Sequence, residues 1–122
     1  MTRALVLFAH GARAAAWAAP FERLRDQAQA RLPSVRVTLA FLELMTPRLP
    51  EAVAALVGEG VREVTVLPVF LGQGGHVLRD LPGLADTIRA AHPGLRLQVV
   101  GAIGEDPQVQ AAMTDYCVRA LG

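Results

Sequence analysis

The chain contains no lysine and no asparagine, and its one serine is Ser34. Without lysine there is neither Schiff-base chemistry nor a phosphate-loop lysine, and Ser34 sits in a Pro33-Ser34 turn unlike any nucleophile elbow. The single cysteine, Cys117, excludes an internal disulfide and a thiolate-cluster metal site; its apolar neighbours at helical spacing mark it as a buried packing residue. No apolar run approaches the ~20 residues of a membrane span. Met1-Thr-Arg3 runs into a strand pattern without a cleavable small-residue site, so no membrane partner and a cytoplasmic location are expected. Net charge is only +1, and the arginines are scattered rather than gathered in a basic block, which argues against nucleic-acid binding.

Hydrophobic residues make up 52% of the 122 and charged residues 19%, a composition that fits a single domain over residues 1–122 with a real core. It is small for an enzyme that must enclose a large substrate alone, so a homo-oligomer is expected.

Four apolar runs alternate with four helical patterns. Residues 3–9 read as a buried strand, followed by a helix with Trp17, Phe21, Leu24, Ala28 and Leu32 on its apolar face and Pro20 in its first turn. Val35–Phe41 is the second strand. Thr46-Pro47 starts a helix that turns Leu49, Val53, Leu56 and Val57 inward and stops at Gly58 and Gly60. The third strand, Val61–Phe70, is the most apolar, as a central strand covered on both faces should be. After the Gly72-Gln-Gly-Gly75 loop, a third helix buries Leu81, Leu84, Ile88 and Ala91 and ends at His92-Pro93-Gly94, where His92 suits a helix C-terminus. A fourth strand spans Leu95 to about Val100. Asp106-Pro107 then caps a last helix expected to bury Val109, Ala112, Met113, Tyr116 and Ala120. Repeated β-α units with short turns predict an α/β fold: a four-stranded parallel sheet in the order 2-1-3-4 with helices on both faces.

In that order strands one and three are neighbours, and His10 and His76 each follow one of them. Ligands of open α/β sheets bind at this carboxyl edge, beside the point where strand order reverses. Glu43, just after strand two, projects from the same edge. Two imidazoles and a carboxylate form a divalent-metal ligand set with coordination positions left open, as needed when the ion is passed on. Arg13, Arg48 and Arg79 lie in or just after the same three loops, where each could fork onto a carboxylate of a polyanionic ligand. The bare backbone of Gly74 and Gly75 would let a flat ligand approach, or alternatively cradle phosphate.

His10-Gly-Ala-Arg13, Phe41-Leu-Glu43, Phe70-Leu-Gly-Gln-Gly-Gly-His76 and Glu105-Asp-Pro107 together resemble the short sirohydrochlorin chelatases of the CbiX-type, class II family, and the similarity extends along nearly the whole chain. One departure is Ala12, where the family usually has serine, so a hydroxyl near the site is missing. The resemblance implies insertion of Co²⁺, Fe²⁺ or Ni²⁺ into sirohydrochlorin in cobalamin or sirohaem biosynthesis, with no nucleotide. It implies His10, His76 and Glu43 as catalytic and metal-binding residues, and a homodimer whose subunits enclose one tetrapyrrole cleft. Because protonated imidazole repels a cation, activity should fall as pH drops through the ordinary histidine range near ~6.5. The competing expectations are a metal or tetrapyrrole carrier that retains its ligand, and a phosphate-binding regulatory domain.

Overall fold

A computed structural model describes residues 2–72 and 76–122, with the side chains of 76–78 set aside. Strand β1 (Arg3–Ala9) lies between β2 (Val35–Phe41) and β3 (Glu63–Pro68), and β4 (Arg96–Val99) extends the sheet beyond β3, all parallel in the expected order β2-β1-β3-β4. Helices α1 (Ala19–Arg31), α2 (Leu49–Gly58), α3 (His76–Ala91) and α4 (Pro107–Leu121) follow the strands in turn, with short 3-10 turns at Ala15–Ala18 and Ile103–Glu105.

Alternation along the strands divides the core into two layers. On one face Val6, Phe8, Val64 and Val66 pack with Leu49, Val53 and Leu56 of α2 and Leu81, Ala85 and Ile88 of α3. On the other, Leu7, Val37, Leu39 and Phe41 meet Phe21, Leu24 and Ala28 of α1. Gln29 ties the end of α1 to the edge strand: its amide donates to the Leu32 and Val35 carbonyls at 3.0 and 2.7 Å, and its oxygen accepts from Val37 N at 2.9 Å. Arg89 does the same for α3 by donating to the Leu97 carbonyl at 2.9 and 3.3 Å.

The structure corrects several expectations. β3 is shorter than Val61–Phe70, because the chain turns away after Pro68 and carries Phe70 out towards the carboxyl edge. α2 begins at Leu49, with Arg48 as its N-cap residue. Ala91 is exposed, because α3 ends there as His92 N donates to the Ile88 and Arg89 carbonyls. The largest correction is α4: none of its residues is buried, so Val109, Ala112, Met113, Tyr116 and Ala120 are not core and Cys117 is exposed.

Candidate functional site

The carboxyl edge is built from loops that continue the strand pairing. Leu42 N donates to the Ala9 carbonyl and Val69 N to the Phe8 carbonyl, both at 2.8 Å, so the segments after β1, β2 and β3 leave the sheet together. His10 emerges from the buried central strand and Glu43 from its neighbour. The His10 Nδ1 and Glu43 Oε1 atoms stand 3.9 Å apart, with the two side chains 45% and 52% exposed. In such exposed positions an ion pair contributes under about 1 kcal/mol, so the pairing matters less for stability than for what it presents. Two ligands of one ion, each ~2.1 Å from it, stand ~3.4 Å apart in a tetrahedral arrangement. The observed gap is therefore about half an ångström wider than a chelating pair.

Three features hold His10. Its ring lies against Phe70, with centroids 4.6 Å apart and planes at 55°. Phe70 in turn meets buried Phe8 edge-on at 6.1 Å. The Trp17 indole N–H donates to the His10 carbonyl at 2.8 Å, fixing the backbone from the α1 side. Gly11 permits the third, since its α-carbon passes so close to the Glu43–Met45 backbone that no side chain fits there. On that second loop Leu44 has a φ of 64°, and Met45 N closes a tight turn onto the Glu43 carbonyl at 2.7 Å.

Arg13 lies in the loop after His10, Arg48 caps α2 beside the end of β2 and Arg79 stands in the first turn of α3. All three are exposed, and none makes an ion pair with a described residue. Exposed Leu44 and Leu71 add apolar surface to the same edge. Sequence reading had left Trp17 among the core residues of α1 and gave Phe70 no role. The signal for Phe70 was its place between a strand end and the glycine loop.

The backbone of His76 opens α3, after β3 as expected, while its side chain, Gly74 and Gly75 lie outside the described residues. Among the described residues no group of three histidine, cysteine or acidic side chains converges, so His10 and Glu43 form a pair. A cleft of about 410 Å³ lined by Arg3, Leu32, Val35, Glu63 and Arg96 lies at the opposite, amino edge of the sheet, away from both. The imidazole of His10 and the carboxylate of Glu43 meet at the carboxyl edge.

Residues 4–120 match the CbiX family model. The chain belongs to the CbiX family. This CbiX chain is 33% identical over 89 residues to a sirohydrochlorin cobaltochelatase from Methanocaldococcus jannaschii, an alignment covering 73% of this chain and 62% of that one. It superposes on a CbiX protein from Marinobacter aquaeolei VT8 with a TM-score of 0.82 and 32% identity, over 98% of this chain and 97% of that one. SirB from Bacillus subtilis, solved with Fe³⁺, superposes with a TM-score of 0.78 and 26% identity over 94% of this chain but 46% of its own. The CbiX chain thus spans about half the length of SirB and less than two thirds of the archaeal relative it matches.

Proposed function

We propose that this chain is a sirohydrochlorin chelatase that inserts Co²⁺ or Fe²⁺, and also accepts Ni²⁺, without a nucleotide. The observation that carries the reading is the half-exposed His10–Glu43 pair at the sheet's carboxyl edge, its donor atoms 3.9 Å apart. The chelatases among its relatives supply the substrate class.

The metal ion is a substrate, and its path defines the residues' roles. His10 presents its imidazole, held against Phe70, and His76, at the start of α3, is the second nitrogen ligand. These ligands leave positions open for the macrocycle nitrogens, so transfer is a sequence of ligand exchanges. As the divalent ion enters, two pyrrole nitrogens each lose a proton, and charge balances with two protons released. Glu43, half-exposed beside His10, takes up each proton in turn and passes it to water. Arg13, Arg48 and Arg79 hold the carboxylates at the macrocycle rim, and the backbone of Gly74 and Gly75 lets the ring approach. Among the described residues the His10 side chain is left half-exposed. The active unit is therefore a homodimer with the tetrapyrrole cleft between subunits, and the double length of SirB suits that reading. A chain with one thiol and no disulfide to form suits a cytoplasmic setting.

The test is an anaerobic absorbance assay with sirohydrochlorin and each of Co²⁺, Fe²⁺ and Ni²⁺. Multiple turnovers with at least one metal are expected from the wild-type chain and not from His10→Ala. Stoichiometric binding without turnover would make the protein a carrier instead.

A further inference from the structure

Two exposed leucines flank His10, one on each neighbouring loop. Leu44 is 57% exposed and Leu71 is 75% exposed. Leu44 follows the end of β2 by three residues and Leu71 follows the end of β3 by three. Those strands lie on either side of β1, with Phe41 paired to Ala9 and Pro68 paired to Phe8. At ~4.8 Å between neighbouring strands, the two loops leave the sheet ~10 Å apart, with the His10 loop between them.

Neither exposure is slack in the chain. Leu44 has a φ of 64° while Met45 N donates to the Glu43 carbonyl at 2.7 Å, which makes it the centre of the left-handed, strained form of the γ-turn. A leucine there brings its Cβ against the following carbonyl oxygen, a cost that glycine avoids and asparagine tolerates. The residues on both sides are anchored. The Glu43 carbonyl lies on Gly11, where an added Cβ would stand 3.2 Å from Met45 N, and Met45 packs against the apolar cluster that contains Phe41. The turn thus holds Leu44 outward against both its backbone preference and its hydrophobicity.

Leu71 is presented in the same way. Gly104 N donates to the Phe70 carbonyl at 2.9 Å, and an added Cβ on Gly104 would lie 2.6 Å from the Leu71 carbonyl carbon. Gly104 is itself held, since its carbonyl accepts from the Gln110 amide of α4. Each leucine therefore has a glycine packed on its loop backbone and a side chain left in solvent. Arg13, Arg48 and Arg79, in or just after the same three loops, are exposed and make no ion pair with a described residue. The edge thus carries a metal-binding pair, an apolar side chain on each flank and cations on the same loops. A metal ion needs only the first of these and a phosphate only the last. The leucines suit a ligand with an apolar face and carboxylates around it.

We propose that Leu44 and Leu71 are the two seats for the apolar face of the tetrapyrrole ring, and that they set where its nitrogens meet the ion held by His10 and Glu43. The assignment rests on the chelatase reading above and deepens it: the imidazole and carboxylate handle the ion, the arginines hold the ring's carboxylates, and the leucines touch its carbon face. One apolar contact has no preferred direction and would let the ring slide or tilt. Two contacts on opposite flanks of His10 fix both. The strained turn keeps Leu44 in place before the ring arrives, so seating displaces water from the side chain without ordering the loop. Covering about half of one leucine side chain is worth ~10-fold in affinity.

An anaerobic absorbance titration with metal-free sirohydrochlorin tests it, beside Co²⁺ calorimetry and a thermal melt of each variant. Leu44→Asn and Leu71→Asn should each weaken sirohydrochlorin binding about 10-fold, and about 100-fold together, while Co²⁺ affinity stays at the wild-type value. Leu44→Asn should melt no lower than the wild type, because asparagine tolerates the left-handed turn, so its loss of ring binding does not come from a damaged fold. Leu44→Met, which keeps the apolar surface, should bind the ring as the wild type does. Leu121→Asn, which removes a leucine 92% exposed at the far end of α4, should do the same. Unchanged ring binding in both loop asparagine variants overturns the proposal. So does a Co²⁺ affinity that falls in step with ring binding, since the leucines would then shape the metal loops instead. Turnover by the wild type, with ring binding unchanged in both variants, would sink the leucine seats and leave the chelatase reading standing. Ring binding weakened in both variants, with no turnover by the wild type, would sink only the chelatase reading.

Discussion

Gly11→Ala is the sharpest test of the site, because the change is one methyl group and its target is backbone. An added Cβ would overlap the Glu43 carbonyl oxygen and stand 2.8 Å from its carbon and 3.2 Å from Met45 N. Carbon atoms in contact need about 3.5 Å, so the two loops must part by at least ~0.7 Å, the difference between 3.5 and 2.8. The strands behind them cannot absorb this, since Leu42 N is bonded to the Ala9 carbonyl one residue before His10. The displacement falls on the His10–Glu43 gap, widening it from 3.9 Å to at least ~4.6 Å, and by more where the carbonyl-oxygen overlap governs. Two ligands each ~2.1 Å from one ion span at most ~4.2 Å, so the pair can no longer grip it together. Metal affinity and turnover should fall ~100-fold, as expected of a misplacement near 1 Å, with stability lowered by about 1–3 kcal/mol. Calorimetric titration with Co²⁺ and a thermal melt measure both. Gly58→Ala is the control, since nothing lies within 4 Å of the added carbon. It should be neutral or stabilise by up to about 1 kcal/mol without touching metal binding. Wild-type Co²⁺ affinity in a folded Gly11→Ala protein would refute the reasoning.

His10→Ala should abolish turnover and weaken Co²⁺ binding at least ~10-fold, as the insertion assay and a calorimetric titration would show. Glu43→Gln keeps the shape and removes the charge from one half of the pair, so the Co²⁺ dissociation constant should rise at least ~10-fold and kcat should fall as well, as a titration beside a stopped-flow insertion assay would show. Arg13→Ala and Arg48→Ala should each raise the KM for sirohydrochlorin about 10-fold, with an effect that shrinks at high salt. Leu49→Ala, at 1% exposure in the core under α2, should cost about 2–5 kcal/mol by chemical denaturation and leave the metal affinity of the remaining folded protein unchanged.

The sheet and its first three helices were readable because the period of each element agreed with its place. Val64 and Val66 face one helical layer while Leu39 and Phe41 face the other, which is how parallel strands covered on both sides produce near-continuous apolar runs. Strand order followed from the rules of right-handed crossover, and it put His10 at the switch point without any contact being known. Glu43 was placed at the same edge by topology alone, and the structure brings it within 3.9 Å of the imidazole. The supports of that pair were harder to see. Gly11 was read only as part of a loop, because its role comes from the backbone of residues 43–45, more than thirty positions away. Trp17 looked like a core aromatic, since spacing reports which face a side chain is on and says nothing of an indole N–H reaching the His10 carbonyl.

α4 shows where periodicity stops being informative. The stripe from Val109 to Ala120 was correctly seen as apolar and one-sided, but the inference that it packs on its own sheet was wrong. A helical pattern records that a face needs cover. It does not record which chain supplies the cover, because a stripe that docks within a domain and one that docks across a two-fold axis bury the same residue types. Here the deciding information lies in the hinge. The bonds joining Gly104 to Phe70 and Gln110 to Gly104 fix the start of the helix beside the cavity lined by Leu67, Val100 and Val109, and none of the helix's residues is buried. Cys117 was misread for the same reason: it lies on the stripe, and the structure leaves it exposed.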